Sequence, residues 1–178
     1  MKRILVIGSP GSGKSTFSKN LANILGLPLL HLDRIYHIDN YNQISREELK
    51  SKIIGFINEN RSFIIDGNYN ATMEWRMQFA DTVFLLDINP DICIKNAISR
   101  TKCTTERSDM APGFDDSIMD DDFLEFIGNF RKVSLPKIEN TLNNHKDVKV
   151  IRITSYNEMD SVIKNISLEV KWWNINLT

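Results

Sequence analysis

Arg3-Ile4-Leu5-Val6-Ile7, followed without a break by Gly8-Ser9-Pro10-Gly11-Ser12-Gly13-Lys14-Ser15, is the stretch on which the fold turns. The first part is a short apolar run rich in β-branched residues, which predicts a buried strand. The second part fits G-x-x-x-x-G-K-S/T without a mismatch. Such a loop turns its backbone N–H groups inward around phosphate oxygens, and bulky side chains would block that approach. The following segment, Lys14 to Leu25, carries Phe17, Leu21, Ile24 and Leu25 at helical spacing, and Gly26 is placed to stop it. Strand, glycine-rich turn and amphipathic helix thus follow one another in the order that phosphate binding requires.

Working outward, short apolar runs keep alternating with segments of helical period. Leu29 to Leu32 reads as a second strand ending at Asp33, Phe63 to Ile65 as a third closed by Asp66-Gly67, Thr82 to Leu86 as a fourth closed by Asp87, and Val148 to Ile153 as a fifth. Capping boxes at Ser45 to Glu48 and Ser155 to Glu158 open two helices, and Pro90 starts another that runs to about Arg100. Met119, Phe123, Phe126, Ile127 and Phe130 predict one more, with Asp120, Asp121 and Asp122 in its first turn, where the helix dipole favours acids over a metal cluster. The alternation predicts an α/β fold, a parallel sheet between layers of helices, in a single domain over residues 1–178. Residues 101–117 break the rhythm with a long polar excursion, the kind of loop that is usually functional or disordered.

The bulk properties narrow the partners. With 22 Lys+Arg against 23 Asp+Glu and a net charge of −1, the chain has no long-range field for a nucleic-acid backbone, so direct nucleic-acid binding is disfavoured. Cys93 and Cys103 form no Cys-x-x-Cys pair and read as reduced thiols, Cys93 buried and Cys103 in a loop. The apolar run after Lys2-Arg3 is too short for a signal-peptide core, and no stretch approaches a membrane span. The expectation is a cytoplasmic protein, monomer or homodimer, with no membrane partner.

The chain resembles the P-loop nucleoside-monophosphate-kinase-like family, which includes adenylate, shikimate and gluconate kinases. Within it the chain is most similar to the bacterial topology modulation protein, FlaR-like group. The loop at Gly8–Ser15 carries the broad likeness. The narrower one rests on His31-Leu32-Asp33, Ile64-Ile65-Asp66-Gly67-Asn68-Tyr69, Arg107-Ser108-Asp109-Met110 and the segment from Phe123 to Arg131. The resemblance implies a three-layer α/β/α P-loop NTPase fold, a five-stranded parallel sheet in the order 2-3-1-4-5, and a lid at about residues 101–117. It implies ATP and Mg2+ as cofactors and a small-molecule phosphoacceptor beyond strands two and three. No Asn-Lys-x-Asp motif of the GTPase kind is present.

Roles follow residue by residue. Gly8, Ser9, Pro10, Gly11, Ser12, Gly13, Lys14, Ser15 and Thr16 are expected to hold the nucleotide, with Lys14 at the β- and γ-phosphates and Ser15 on the metal. Asp66, an acid closing an apolar strand, is the second metal-side candidate, against the plainer reading of a turn residue beside Gly67. Asp33 is expected near the acceptor hydroxyl as its proton acceptor, with His31 on the same strand face. Arg100, Arg107 and Arg131 surround the lid and are candidates to neutralise the moving phosphoryl charge, although solvated surface charge is the commonest fate of an arginine. Arg76 is a candidate anchor for an anionic acceptor, and Thr154 stands where the family contacts the base. Asn68-Tyr69-Asn70 replaces the Pro-Arg usual after Asp-Gly in nucleotide kinases, and four-cysteine lid ligands are missing. Two activities remain open: ATP-dependent phosphorylation of a nucleotide or hydroxyl metabolite, and a nucleotide-binding regulator with little or no transfer. The exposed-or-packed fate of Trp172-Trp173 bears on the second.

Overall fold

The computed structural model describes residues 1–102 and 107–176, so Cys103 lies outside the described residues. Five strands, β1 (Arg3–Gly8), β2 (Leu29–His31), β3 (Phe63–Asp66), β4 (Thr82–Leu86) and β5 (Lys149–Ile153), form one all-parallel sheet in the order β2-β3-β1-β4-β5. A central parallel strand is covered on both faces, so β1 is a continuous apolar run rather than an alternating one. Its side chains still divide by the two-residue period. Leu5 and Ile7 pack with Leu49 and Ile53 of α3 (Arg46–Glu59), Met73 and Met77 of α4 (Asn70–Met77), and Ile138 of α8 (Leu135–Asn144). Ile4 and Val6 pack on the opposite face with Phe17 and Leu21 of α1 (Lys14–Leu25), Ala97 of α5 (Pro90–Arg100) and Met159 of α9 (Tyr156–Asn176). Each such fully buried aliphatic side chain contributes about 1.5–3 kcal/mol over leaving it exposed.

The helix ends follow their capping residues. Gly26 takes the left-handed conformation that ends α1, and the Ser45 hydroxyl accepts the Glu48 N–H at the start of α3. Asp120 is the N-cap of α6 (Asp121–Gly128), accepting the Phe123 N–H, which is the dipole-and-cap reading of the acid run. Among the described residues no group of acids, histidines and cysteines could hold a metal ion by itself. Cys93 is buried.

Three expectations are corrected. The second strand stops at His31, and Leu32–Tyr36 forms a helical turn, α2, so Asp33 is helical and does not share a strand face with His31. The single helix expected around Met119 to Phe130 is broken: α6 ends at Gly128, Asn129 leaves helical geometry, and α7 (Phe130–Val133) and α8 follow with Pro136 in the first turn of α8. The short α4 was not foreseen, because its buried face mixes Met73 and Met77 with the polar Thr72 and Arg76. No helix among the described residues is long and apolar enough to cross a membrane.

Candidate functional site

The site assembles where the carboxyl ends of β1, β3 and β2 meet the amino end of α1. Gly8 and Gly11 are both at positive φ, and a Cβ on either would run into backbone, the Leu86 carbonyl oxygen for Gly8 and the Cys93 carbonyl oxygen for Gly11. The loop is therefore pressed against the end of β4 and the start of α5, and it leads directly into the amino end of α1, where partial positive charge collects. The Lys14 ammonium donates to the Ser9 carbonyl at 3.0 Å and makes no other hydrogen bond among the described residues. Burial lowers its pKa, and the nearby Asp66 and Asp33 carboxylates only partly offset this. A desolvated ammonium with donors to spare and a buried Ser12 hydroxyl that has no partner among the described residues, both at the amino end of α1, form a set that fits a polyphosphate.

Asp66 lies beside Val6 and His31 in the sheet register. Its Oδ2 accepts from His31 Nδ1 at 2.8 Å, and its buried Oδ1 has no protein partner. Asp33 stands in the first turn of α2, where its Oδ1 accepts from the Tyr69 hydroxyl at 2.6 Å. Burial, and then the Asp33 charge, raise the pKa of the Tyr69 phenol, so it stays protonated and remains a donor. Arg100, at the end of α5, is brought near Asp33 and Lys14; burial lowers its pKa, and Arg107 adds to the effect.

The excursion after α5 touches the loop. Arg107 donates to Asp109 at 2.6 Å and to Asp116 at 2.8 Å, and Asp109, almost fully buried, also meets Lys19 at 3.4 Å. Burial would raise the Asp109 pKa, but Arg107, the Ser15 hydroxyl and Lys19 hold it well below the ordinary carboxylate range. Thus Asp109, which sequence reasoning passed over as a site residue, sits beside the serine expected to bind metal. A cavity of about 420 Å³ opens on the other side of the loop, lined by Gly11, Gly13 and Thr16 with Asn96, Arg100 and Tyr156. Asn96 bridges the Gly11 carbonyl (2.8 Å) and the Tyr156 hydroxyl (2.6 Å), which ties the cavity wall to the loop.

Three expected site residues are placed elsewhere. Arg76 is wholly buried, donating to the Gly67 carbonyl at 3.0 Å, to the Asn68 carbonyl, and through Nε to Thr72 Oγ1 at 3.1 Å, so it is turned away from any direct anchoring of an acceptor. Burial lowers its pKa to about 10. Arg131 is tethered to the side chain and backbone carbonyl of Asp87, whose carboxylate also binds Arg152. Thr154 gives its N–H and hydroxyl to Glu158, so both serve the start of α9 instead of a base. Besides Asp109, the residues missed from sequence were Asn68, Tyr69, Asn96 and Tyr156. Only Asn68-Tyr69 left a trace, as a departure from the expected Pro-Arg.

No protein-family model matches the chain, and no curated protein matches it. Solved structures match over nearly all of it. A shikimate kinase from Acinetobacter baumannii, in complex with shikimate, is similar at 14% identity and a TM-score of 0.58, over 96% of this chain and 94% of that one. A gluconokinase from Sinorhizobium meliloti 1021 aligns at 12% identity and a TM-score of 0.55, over 99% and 95%. A sugar kinase from Janibacter sp. HTCC2649 aligns at 13% and 0.54, over 98% and 95%. The chain has the fold of these P-loop kinases, with the sheet order expected from its sequence.

Proposed function

We propose that the chain transfers the γ-phosphoryl group of Mg-ATP to a hydroxyl of a small molecule. The observation that carries this reading is the Gly8–Ser15 loop, pressed against Leu86 and Cys93 at the amino end of α1, with the Lys14 ammonium folded back over it onto the Ser9 carbonyl. Mg-ATP, when bound, supplies the phosphoryl group and leaves as ADP. Lys14 and the loop amides hold the phosphate charge, and Ser15 with Asp66 or Asp109 would hold the metal through its inner or outer sphere. Arg100, which lines the cavity beside Gly11 and Gly13, would neutralise charge on the moving group. The cavity beside Thr16 and Tyr156 is the space for the base. At the far end, Asp33 takes the proton of the acceptor hydroxyl as its oxygen bonds to phosphorus.

A hydroxyl compound is favoured over a nucleotide acceptor, because a second phosphate needs an uncommitted arginine on the acceptor side. Arg76, the candidate for that task, has its fork closed on backbone carbonyls. The similarity to shikimate, gluconate and sugar kinases supports the same choice. The segments behind the topology-modulation likeness, Asp66–Tyr69 and Arg107–Met110, are the two that flank the phosphate loop here, so that group would share this site. The test is incubation with γ-labelled ATP, Mg2+ and a panel of polyols, hydroxy acids and nucleoside monophosphates. Label should move to a hydroxyl compound and Lys14→Ala should abolish the transfer. Tight Mg-ATP binding with transfer to nothing would favour the regulator, and transfer to a monophosphate would reverse the choice of acceptor.

A further inference from the structure

Among the described residues Arg76 is the largest fully buried side chain, and it has no carboxylate partner there. A buried guanidinium without a counter-ion is costly unless its donors are satisfied by well-placed acceptors. Here the acceptors are the consecutive carbonyls of Gly67, Asn68 and Tyr69, the last at 3.4 Å. A planar fork of five donors can serve several carbonyls at once, which a lysine ammonium on its flexible stem does not reproduce. The loop so held is unusual in its backbone as well. Tyr69, at φ 39° and ψ 68°, is the only non-glycine among the described residues with positive φ.

What this loop presents explains why it is held. The Asn68 carboxamide accepts from the Gly8 N–H at 2.8 Å and donates to the Gly8 carbonyl at 2.7 Å, a two-point clamp on the residue where β1 becomes the phosphate loop. An aspartate could accept but not donate there. One residue on, the Tyr69 hydroxyl fixes one oxygen of Asp33 and leaves the other to meet an acceptor, while its ring stands edge-on to Tyr36 at 4.7 Å. We infer that Gly67, Asn68 and Tyr69, locked by Arg76, position both halves of the site at once: Asn68 sets the phosphate loop and Tyr69 sets the Asp33 carboxylate. Asn68, Tyr69 and Arg76 are positioning residues that act through Gly8 and Asp33. The inference rests on the phosphotransferase reading above and deepens it, since it makes one loop responsible for the register between donor and acceptor.

The experiment uses the whole chain, with titration calorimetry of Mg-AMP-PNP and the slow hydrolysis of Mg-ATP, in which water takes the acceptor's place. Melting curves establish that each variant is folded. Asn68→Ala should weaken Mg-AMP-PNP about tenfold, the loss expected of a pair of hydrogen bonds. Tyr69→Phe should leave nucleotide affinity within about twofold and lower the saturated rate about tenfold, at the low end of what a positioned base contributes. In a double-mutant cycle, Tyr69→Phe should add nothing to Asp33→Asn, because its effect travels through that carboxylate. Arg76→Lys should impair both properties, and if it does not fold the two milder variants carry the test alone. Unchanged affinity in Asn68→Ala, or a Tyr69→Phe effect that adds in full to Asp33→Asn, overturns the inference. Failure of the wild-type chain to bind Mg-AMP-PNP at all would remove the phosphotransferase reading and this inference with it, a result distinct from intact binding that the variants leave unmoved.

Discussion

At Lys14, withdrawal from water disfavours the ammonium while Asp66 and Asp33 favour it, and burial prevails. A cation with a depressed pKa is destabilised in its charged form, and a bound polyphosphate restores that form by raising the pKa, so that the lysine takes up a proton on binding. Nucleotide affinity should therefore fall as pH rises through the depressed Lys14 pKa, below the range in which an exposed lysine titrates. Calorimetry of Mg-AMP-PNP between neutral pH and about pH 10 checks this, and an affinity flat across that range would exclude it. Gly11 supplies a second test on the residue scale. A methyl group there meets the Cys93 carbonyl and needs a left-handed backbone, a strain of about 1–3 kcal/mol. Gly11→Ala should lower the melting temperature and abolish Mg-AMP-PNP binding together.

Between elements, Asp87 at the end of β4 is the joint that matters most. Its two carboxylate oxygens take Arg131 from α7 and Arg152 from β5, and Arg152 goes on to Glu139 of α8. The carboxylate is buried, but both arginines are about two-fifths exposed, so solvent screens much of the attraction. Asp87→Ala should cost about 1–3 kcal/mol in chemical denaturation, nearer the lower figure. It should also free Arg131, the arginine expected at the phosphoryl group and held instead on Asp87. A break at Asn129 rather than a continuous helix is what brings Arg131 round to Asp87.

Across the whole molecule, the segment after α5 is docked at three places. Asp109, itself paired with Arg107, meets Lys19 of α1, Arg34 donates to the Ser108 carbonyl at 2.6 Å, and Asn40 makes a reciprocal pair with the Asp115 backbone at 2.8 Å. If residues 107–117 form a lid, hydrogen exchange there should slow when Mg-AMP-PNP binds, and Asp109→Asn should speed it in the free protein. The Asp109 pKa is depressed, so its stabilising share is fully present above the ordinary carboxylate range and is lost only as pH falls through its own lower value. Lid protection should thus be constant from neutral pH down to about pH 5, and a loss of protection above that would contradict the assignment.

The strand order came from the family resemblance, while the sequence by itself determined the layered α/β architecture, the phosphate loop and the starts of α1, α3, α5 and α9. These depend on local quantities: apolar period, capping residues and glycines where backbone must turn or approach. Only tertiary structure decided which polar residues reach which others. The distance along the chain from Asn68 to Gly8 or from Asp109 to Lys19 carries no spacing signal, and the sheet register alone brings His31 beside Asp66. Arg76 shows the difference most clearly. Read along the chain it is a free cation, and in the fold it is a buried brace, because three carbonyls converge on it from a loop whose shape no local pattern announces.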